Sequence, residues 1–464
     1  MEQAKTQDDL LRAPTSEELA KVHSWTQVSL QRVVDAILQP FTFLAAVVWL
    51  FGGSFADVAV IAVAAAMSYA LGSAIMPFAL AKVDDIRLVL LGASMVRAFA
   101  SAIVAVIGWR ASTLNDDQLV LWLVIALLFY QVSSAANVSR NPRSFIANHD
   151  QPTSARSRQV VGAIAGALGG VIAWRALGNA ELSFEQAAGM LLFLAGCASL
   201  GSVWFQITAP VRYRDLHQKL PIPAWEEIER VLRTPEIRRY LGLRLVFGLA
   251  TLVDPFLIIY GINYLRLSPW YLGAAMLAVV IAQLVGGAIW TFFGEMPGSR
   301  QAIQLAGVLR LSALTLAVAV PFIGTSSWYQ ATFNGPGIAS WLYVCVFFLI
   351  GLSQNTFSRN EQHYAMNRLQ DGRLFPAMDL VLNLALIFTA LTPILGVVLI
   401  EATSLRITIA ITAGIALIAF ICTAFLVARK RLPRRHVKPG LRGPLKPAKN
   451  RSARTGRVKT RRIK

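Results

Sequence analysis

The tripeptide Ser139-Arg140-Asn141 closes one apolar run, and 219 positions later Ser358-Arg359-Asn360 closes another. The match runs without gaps from Ser134–Gln151 onto Ser353–Gln370 and holds six identities, Ser134/Ser353, Ser139/Ser358, Arg140/Arg359, Asn141/Asn360, Asn148/Asn367 and Gln151/Gln370, where chance gives roughly one. Each copy sits where an apolar run gives way to a polar loop, so the duplicated unit runs in the same direction both times. Further pairs keep the same order: Leu38-Gln39-Pro40-Phe41 with Val253-Asp254-Pro255-Phe256, Val96-Arg97 with Leu309-Arg310, and Gly166-Ala167-Leu168-Gly169-Gly170 with Thr392-Pro393-Ile394-Leu395-Gly396. Their shifts of 215, 213 and 226 differ only by small loop insertions. The chain is therefore read as a parallel two-fold repeat.

What repeats is a membrane block. Apolar residues make up 55% of the 464 and charged residues 15%, with a mean hydropathy of +0.54, which excludes a soluble protein of this length. Windows of about 20 apolar residues place spans 1 to 12 near 34–53, 57–79, 88–109, 118–138, 159–178, 186–209, 242–263, 270–293, 303–323, 338–357, 377–399 and 405–428. The expected fold is all-α and polytopic, with twelve transmembrane helices in two parallel six-helix repeats. Its divisions are an N-terminal segment over 1–33, bundles over 34–209 and 242–428, a central loop over 210–241 and a tail over 429–464. Pro14, Thr15 and Glu18 mark a helix start, from which Leu19, Val22 and Trp25 are expected to lie on the membrane surface ahead of span 1.

Basic residues set the expected orientation. Odd-numbered connections hold only Arg110, Arg175, Arg266 and Arg406. Even-numbered ones hold Lys82, Arg87, Arg140, Arg143, Arg156, Arg158, a run from Arg212 to Arg239, Arg300, Arg359, Arg368 and Arg373. Both termini are thus expected in the cytoplasm, with the protein in the cytoplasmic membrane. The N-terminus lacks the basic start and short apolar stretch of a signal peptide. The formal charge of +19 does not point to nucleic acid, because sixteen of the 44 basic residues fall in 429–464 with no acid among them, leaving 28 against 25 acids elsewhere. Such a tail is expected to be held on anionic lipid headgroups, each near-surface cation adding about 1 kcal/mol. Cys197, Cys345 and Cys422 lie inside spans without CxxC spacing, and no zinc, haem or phosphate-loop motif occurs, so no cofactor or metal is expected. His23, His149, His217, His363 and His436 fall in loops or tails at unrelated spacing, and no Ser/His/Asp constellation exists, which argues against an enzyme.

Several motifs resemble the major facilitator superfamily. After span 8 the chain reads Gly294-Glu295-Met296-Pro297-Gly298-Ser299-Arg300, similar to the family's turn through Glu295 and Gly298-x-Arg300. The first-half counterpart, Gly72-Ser73 with Lys82-Val83-Asp84-Asp85-Ile86-Arg87, is eroded and has Lys82 where the family has aspartate. Gly166–Gly170 resembles the family's span 5 signature, with Ala167 replacing its proline. Arg97-Ala98 in span 3, and a short amphipathic helix through Trp225-Glu226-Glu227-Ile228 ahead of span 7, are similar to the drug and siderophore exporters of that family. The resemblance implies a secondary transporter, a monomer, whose halves rock around a central cavity lined by spans 1, 4, 7 and 10. Proton-coupled export of a small amphipathic compound through a mostly apolar cavity is the leading expectation. Proton-coupled uptake, or a non-transporting lipid-handling or assembly scaffold on the same fold, are the alternatives.

Ionisable residues inside hydrocarbon cost several kcal/mol unless paired or hydrated, so each is a functional candidate. Asp254 leads as the proton-coupling group, about 15 Å into a core of roughly 30 Å if span 7 begins near Arg244. The competing reading has it permanently paired with an arginine or capping a broken helix. Its repeat mate Gln39 cannot titrate. Arg97 and Arg310 are the matched intramembrane arginines, structural or in contact with substrate or Asp254. Gln39, Tyr130, Gln131, Ser134, Asn137, Asn263, Gln354 and Asn355 are expected to face substrate, and Arg140, Arg359, Glu295 and Arg300 to form cytoplasmic gate contacts. Asp35 is read at headgroup level. Gln283, with Asp379 and Asn383, is read as interfacial or interhelical.

Overall fold

Lipid offers a peptide group no hydrogen-bond partner, so each apolar run must satisfy its backbone within itself, as helix. A computed structural model describes residues 16–82, 86–139, 153–208, 223–292, 300–333, 337–368 and 374–425, and among them no strand occurs. Twelve helices are long and apolar enough to cross a membrane: Val22–Leu50, Phe55–Met76, Leu91–Arg110, Asp116–Ala135, Val160–Leu177, Phe184–Thr208, Pro235–Leu265, Pro269–Gly286, Arg300–Gly324, Gly337–Ser358, Pro376–Ala402 and Leu405–Phe425. These are spans 1 to 12 in order. The protein is an integral multi-pass membrane protein with the expected fold class.

The neighbour pattern carries the duplication. In the first half, span 1 packs on spans 5 and 6, span 4 on spans 2 and 3, and span 3 on span 6. In the second, span 7 packs on spans 11 and 12, span 10 on spans 8 and 9, and span 9 on span 12. Across the halves, span 5 meets span 8 and span 2 meets span 11, and each of these contacts becomes the other when the halves are exchanged. That is the pattern of two parallel repeats about a two-fold axis.

Matched prolines break spans 1 and 7 at matched places. In span 1 the helix Ser16–Ile37 stops and a π-helical turn, Pro40–Leu44, follows Gln39, whose backbone is extended; Thr42 donates its hydroxyl to Gln39 Oε1 at 2.8 Å. Span 7 stops at Leu249, turns through Thr251–Val253 and resumes as Asp254–Leu265, with Pro255 in the first turn, where a missing N–H costs nothing. Span 11 also breaks, between Ala390 and Thr392, ahead of Pro393.

One boundary differs from expectation. Span 1 does not start near 34: Ser16–Ile37 is one unbroken helix lying against spans 5 and 6, not a surface helix ahead of the bundle. Gln27, Gln31, Arg32 and Asp35 on that helix lower its hydropathy and hid the true start. Ahead of span 7, Trp225–Arg233 forms the short helix read from the sequence, with Glu227 accepting a hydrogen bond from Ala224 N at 3.1 Å and Val231 buried.

Small residues set the closest approaches. Gly170 in span 5 faces Leu277 of span 8, where an added Cβ would sit 3.2 Å from the Leu277 Cα. Its repeat mate Gly396 faces the break of span 7, where a Cβ would lie 2.8 Å from the Leu252 carbonyl oxygen. Spans 3 and 6 are closer still, since a Cβ on Gly196 would fall 2.6 Å from the Ala105 amide nitrogen. Gly196→Val must push these backbones apart, at a cost of about 1–3 kcal/mol. We expect a lowered melting temperature of the purified protein for Gly196→Val and none for Gly92→Ala, which has open space around it.

Candidate functional site

Where spans 1, 4, 7, 8 and 10 converge, a cavity of about 270 Å³ opens at the two proline breaks. Span 1 contributes Asp35, Gln39 and Thr42, span 4 Tyr130 and Gln131, span 7 Asp254, span 8 Gln283 and span 10 Gln354; Val34, Leu38, Pro40, Phe41, Leu127, Val279, Phe347 and Ile350 complete the wall. Half of the sixteen lining residues are polar, and of these only Asp35 and Asp254 carry charge.

Asp254 owes its environment to the break beside it. The first half of span 7 ends by presenting the Ala250 carbonyl, and the second begins with the Asp254 carboxylate. Arg310 of span 9 takes both: its Nε donates to Ala250 O at 2.9 Å, and its guanidinium donates to Asp254 Oδ1. The cation thus meets the negative end of one half-helix, while the carboxylate sits at the positive end of the next. Both side chains are only 1% exposed, a pair that lipid-depth burial tolerates because each charge has a partner. Gln354 Nε2 donates to the other oxygen, Asp254 Oδ2, at 2.9 Å. Among the sequence readings, a carboxylate paired with arginine at a broken helix is what the fold contains, and Asp254 still reaches the cavity.

The matched arginine is partnered differently. Arg97, 4% exposed, donates to the Tyr130 hydroxyl at 3.1 Å and lies 4.9 Å from that ring's centroid, so a phenol takes the place of a carboxylate. Gln31 Nε2 also donates to Tyr130 Oη, at 2.6 Å, and to Asp35 Oδ1, at 2.8 Å. Asp35 is one turn from Gln39 and 45% exposed at its side chain, with Arg32 Nη1 3.9 Å from Oδ2. It lines the cavity, on the helix that packs against spans 5 and 6.

Span 10 shows why a cluster of polar residues need not share one face. Successive helical residues are rotated by about 100°, and Ser353, Gln354 and Asn355 accordingly reach three different neighbours. Ser353 Oγ donates to Ala306 O of span 9 at 2.8 Å, Gln354 faces the cavity, and Asn355 Nδ2 donates to the Gln283 carbonyl of span 8 at 2.6 Å. Asn355 therefore clamps two helices and does not line the cavity. Ser134 likewise turns inward, its hydroxyl donating to Tyr130 O at 2.8 Å. Asn263 is exposed two positions from the end of the second half of span 7, also outside the lining, because about two and a half turns separate it from Asp254 and carry it to the other face. Gln39, Tyr130, Gln131 and Gln354 line it as expected, and Gln283, read as interhelical, joins them.

On the odd-connection side of Asp254, Phe256 meets Phe55 of span 2 edge-on at 5.9 Å, and Trp49 packs on Phe55 at 4.8 Å, joining the two halves there. Arg300 is half-buried at the first residue of span 9. Arg140, Glu295 and the side chains of Asn137 and Arg359 lie outside the described residues, as do the eroded loop over 83–85 and the basic tail. Asn383 Nδ2 reaches the Ser73 carbonyl at 3.4 Å, so that pair of positions does sit between spans 2 and 11.

No family model and no curated protein matches the sequence. The fold does match solved structures. A variant of the nucleoside transporter NupG superposes with a TM-score of 0.62 at 13% identity, over 88% of this chain and 99% of that one. A POT family transporter in complex with a thioalcohol-conjugated peptide gives 0.58 at 12% identity, over 88% and 94%. The human organic anion transporter MFSD10 gives 0.50 at 15%, over 89% and 100%. At such identities the likeness establishes the fold, which these transporters share with this chain.

Proposed function

We propose that the protein is a secondary transporter that moves a small solute by alternating access, with Asp254 as the coupling group. The observation that carries this reading is a carboxylate placed between a buried arginine and a solute-sized cavity, at the junction of a broken helix. Transporter neighbours covering nearly nine-tenths of the chain support it.

The residues suggest how coupling works. Charged Asp254 accepts from Arg310 and from the Gln354 amide N–H. A proton arriving from the cavity converts Oδ2 into a donor, and Gln354 answers by turning its amide so that its oxygen accepts. Arg310 then keeps the Ala250 carbonyl but loses its counter-ion, which loosens the tie between the two halves of span 7. In the charged state the tie re-forms. Protonation is thereby linked to the shape of a helix that lines the cavity, in the second half only, since Gln39 has no proton to exchange.

Export is the direction supported by the resemblance of Arg97-Ala98 and the central helix to exporters. Uptake is the second reading, favoured by the eight polar residues in the lining. With both termini cytoplasmic, the exposed Asp35 looks toward the cytoplasm, and Phe55 and Phe256 meet on the opposite side of the cavity. The protein acts as a monomer, its tail over 429–464 held on anionic lipid. The test is solute flux: inverted vesicles bearing the protein, made acidic inside so that protons run outward, accumulate solute if it exports in exchange for protons, and whole cells in acidic medium do so if it imports with them. Absence of gradient-driven flux in both, across a broad solute panel, sinks the transporter reading in favour of the scaffold.

A further inference from the structure

The charges around the cavity are unevenly available. Among the described residues no Lys or Arg lines it: Arg310 and Arg97 stand behind Asp254 and Tyr130, almost wholly buried. Both oxygens of Asp254 are engaged, Oδ1 by Arg310 and Oδ2 by Gln354. Asp35 differs. One oxygen accepts from the neutral Gln31, and among the described residues the cation near the other is Arg32, on the same helix at 3.9 Å, exposed and outside the lining. An exposed ion pair of this kind contributes little and leaves the carboxylate open to exchange partners. Phe41, Tyr130 and Phe347 add aromatic surface, and Gln131 and Gln283 add neutral hydrogen-bonding groups.

We infer that the cavity selects a small organic cation, a protonated or quaternary amine, with Asp35 as its counter-ion. A half-exposed carboxylate held only by a weak ion pair, in a recess walled by aromatic rings and amides, favours positive charge twice, through its own field and through the ring faces. Nothing in the described lining compensates an anion. The inference deepens the proposed function by naming the substrate class of the same site, and it separates the two carboxylates: Asp254 answers to Arg310, and Asp35 to the solute.

Two isosteric series test it on the full-length protein purified in detergent: choline, 3,3-dimethylbutanol and 3,3-dimethylbutyrate, and benzylamine, benzyl alcohol and benzoate. Binding is read by titration calorimetry and by ligand-induced melting shifts. The expected result is that within each series the cation binds at least about tenfold more tightly than its neutral partner, and that the anion does not bind. Asp35→Asn removes that preference, Asp35→Glu keeps it, and Gln131→Glu, which adds a second carboxylate, increases it. Equal binding of neutral or anionic members, no binding by any member, or a preference untouched by Asp35→Asn overturns the inference. Should Asp35→Asn misfold, the Gln131→Glu result decides alone. Proteoliposome flux distinguishes the two proposals. Cation binding without flux of any solute sinks the transport reading and leaves the site standing. Flux of neutral or anionic solutes, indifferent to Asp35, does the reverse.

Discussion

Arg310→Met is expected to be the most damaging single substitution in the membrane region. It strips the partner from a carboxylate that is 1% exposed and from the Ala250 carbonyl at the end of a half-helix. Losing one member of a buried ion pair costs about 3–5 kcal/mol, and the orphaned carbonyl adds about 1–3 kcal/mol. The measurement is thermal unfolding of detergent-purified protein. The double variant Arg310→Met with Asp254→Leu recovers the ion-pair portion and not the carbonyl portion, so it melts between the single variant and the parent. Arg97→Met at the matched position loses a hydrogen bond to a phenol that Gln31 still reaches, so its effect is much smaller. Equal losses at the two arginines would show that the asymmetry between the halves has no energetic weight.

Asp254→Asn is expected to separate exchange from accumulation. Asparagine keeps the shape and can hydrogen-bond Gln354 in either orientation, yet it holds the site permanently in the uncharged form. Counterflow of solute across proteoliposomes persists, while proton-gradient-driven accumulation falls at least about tenfold and its pH dependence flattens. Accumulation that survives the substitution with the parent's pH profile sinks the coupling role and leaves Asp254 as a structural partner of Arg310. The variant also leaves Arg310 without a counter-ion, so a reduced melting temperature accompanies either outcome and does not decide between them.

Much of this arrangement is legible in the sequence, and what is not has identifiable causes. Twelve apolar runs and the ordered repeat pairs are enough for two parallel bundles, because lipid allows so few other backbone solutions. The breaks at Gln39-Pro40 and Asp254-Pro255 follow from proline chemistry. Asp254 stands out because a carboxylate is expensive at that depth. That Asp35 lines the cavity is not legible for a local reason: the polar residues Gln27, Gln31 and Arg32 make the first half of this helix read as something outside the bundle. Which neighbour a polar side chain reaches is not written in spacing at all. Ser353, Gln354 and Asn355 look alike as a string, and only the packing of spans 7, 8 and 9 around span 10 assigns each its partner. Nor does the matched placement of Arg97 and Arg310 indicate that one meets a phenol and the other a carboxylate, since those partners come from different helices.

The bridge made by Arg310 has a consequence for the unloaded protein. A helix interrupted within a bilayer leaves bare peptide dipoles facing each other, and a carrier that relied on its cargo to neutralise them would collapse or lock between cycles. Here the chain supplies its own electrolyte: guanidinium on the carbonyl end, carboxylate on the amide end, paired with each other. The unloaded protein is therefore expected to survive purification without additives, and to return across the membrane empty-handed, which a strict exchanger cannot do.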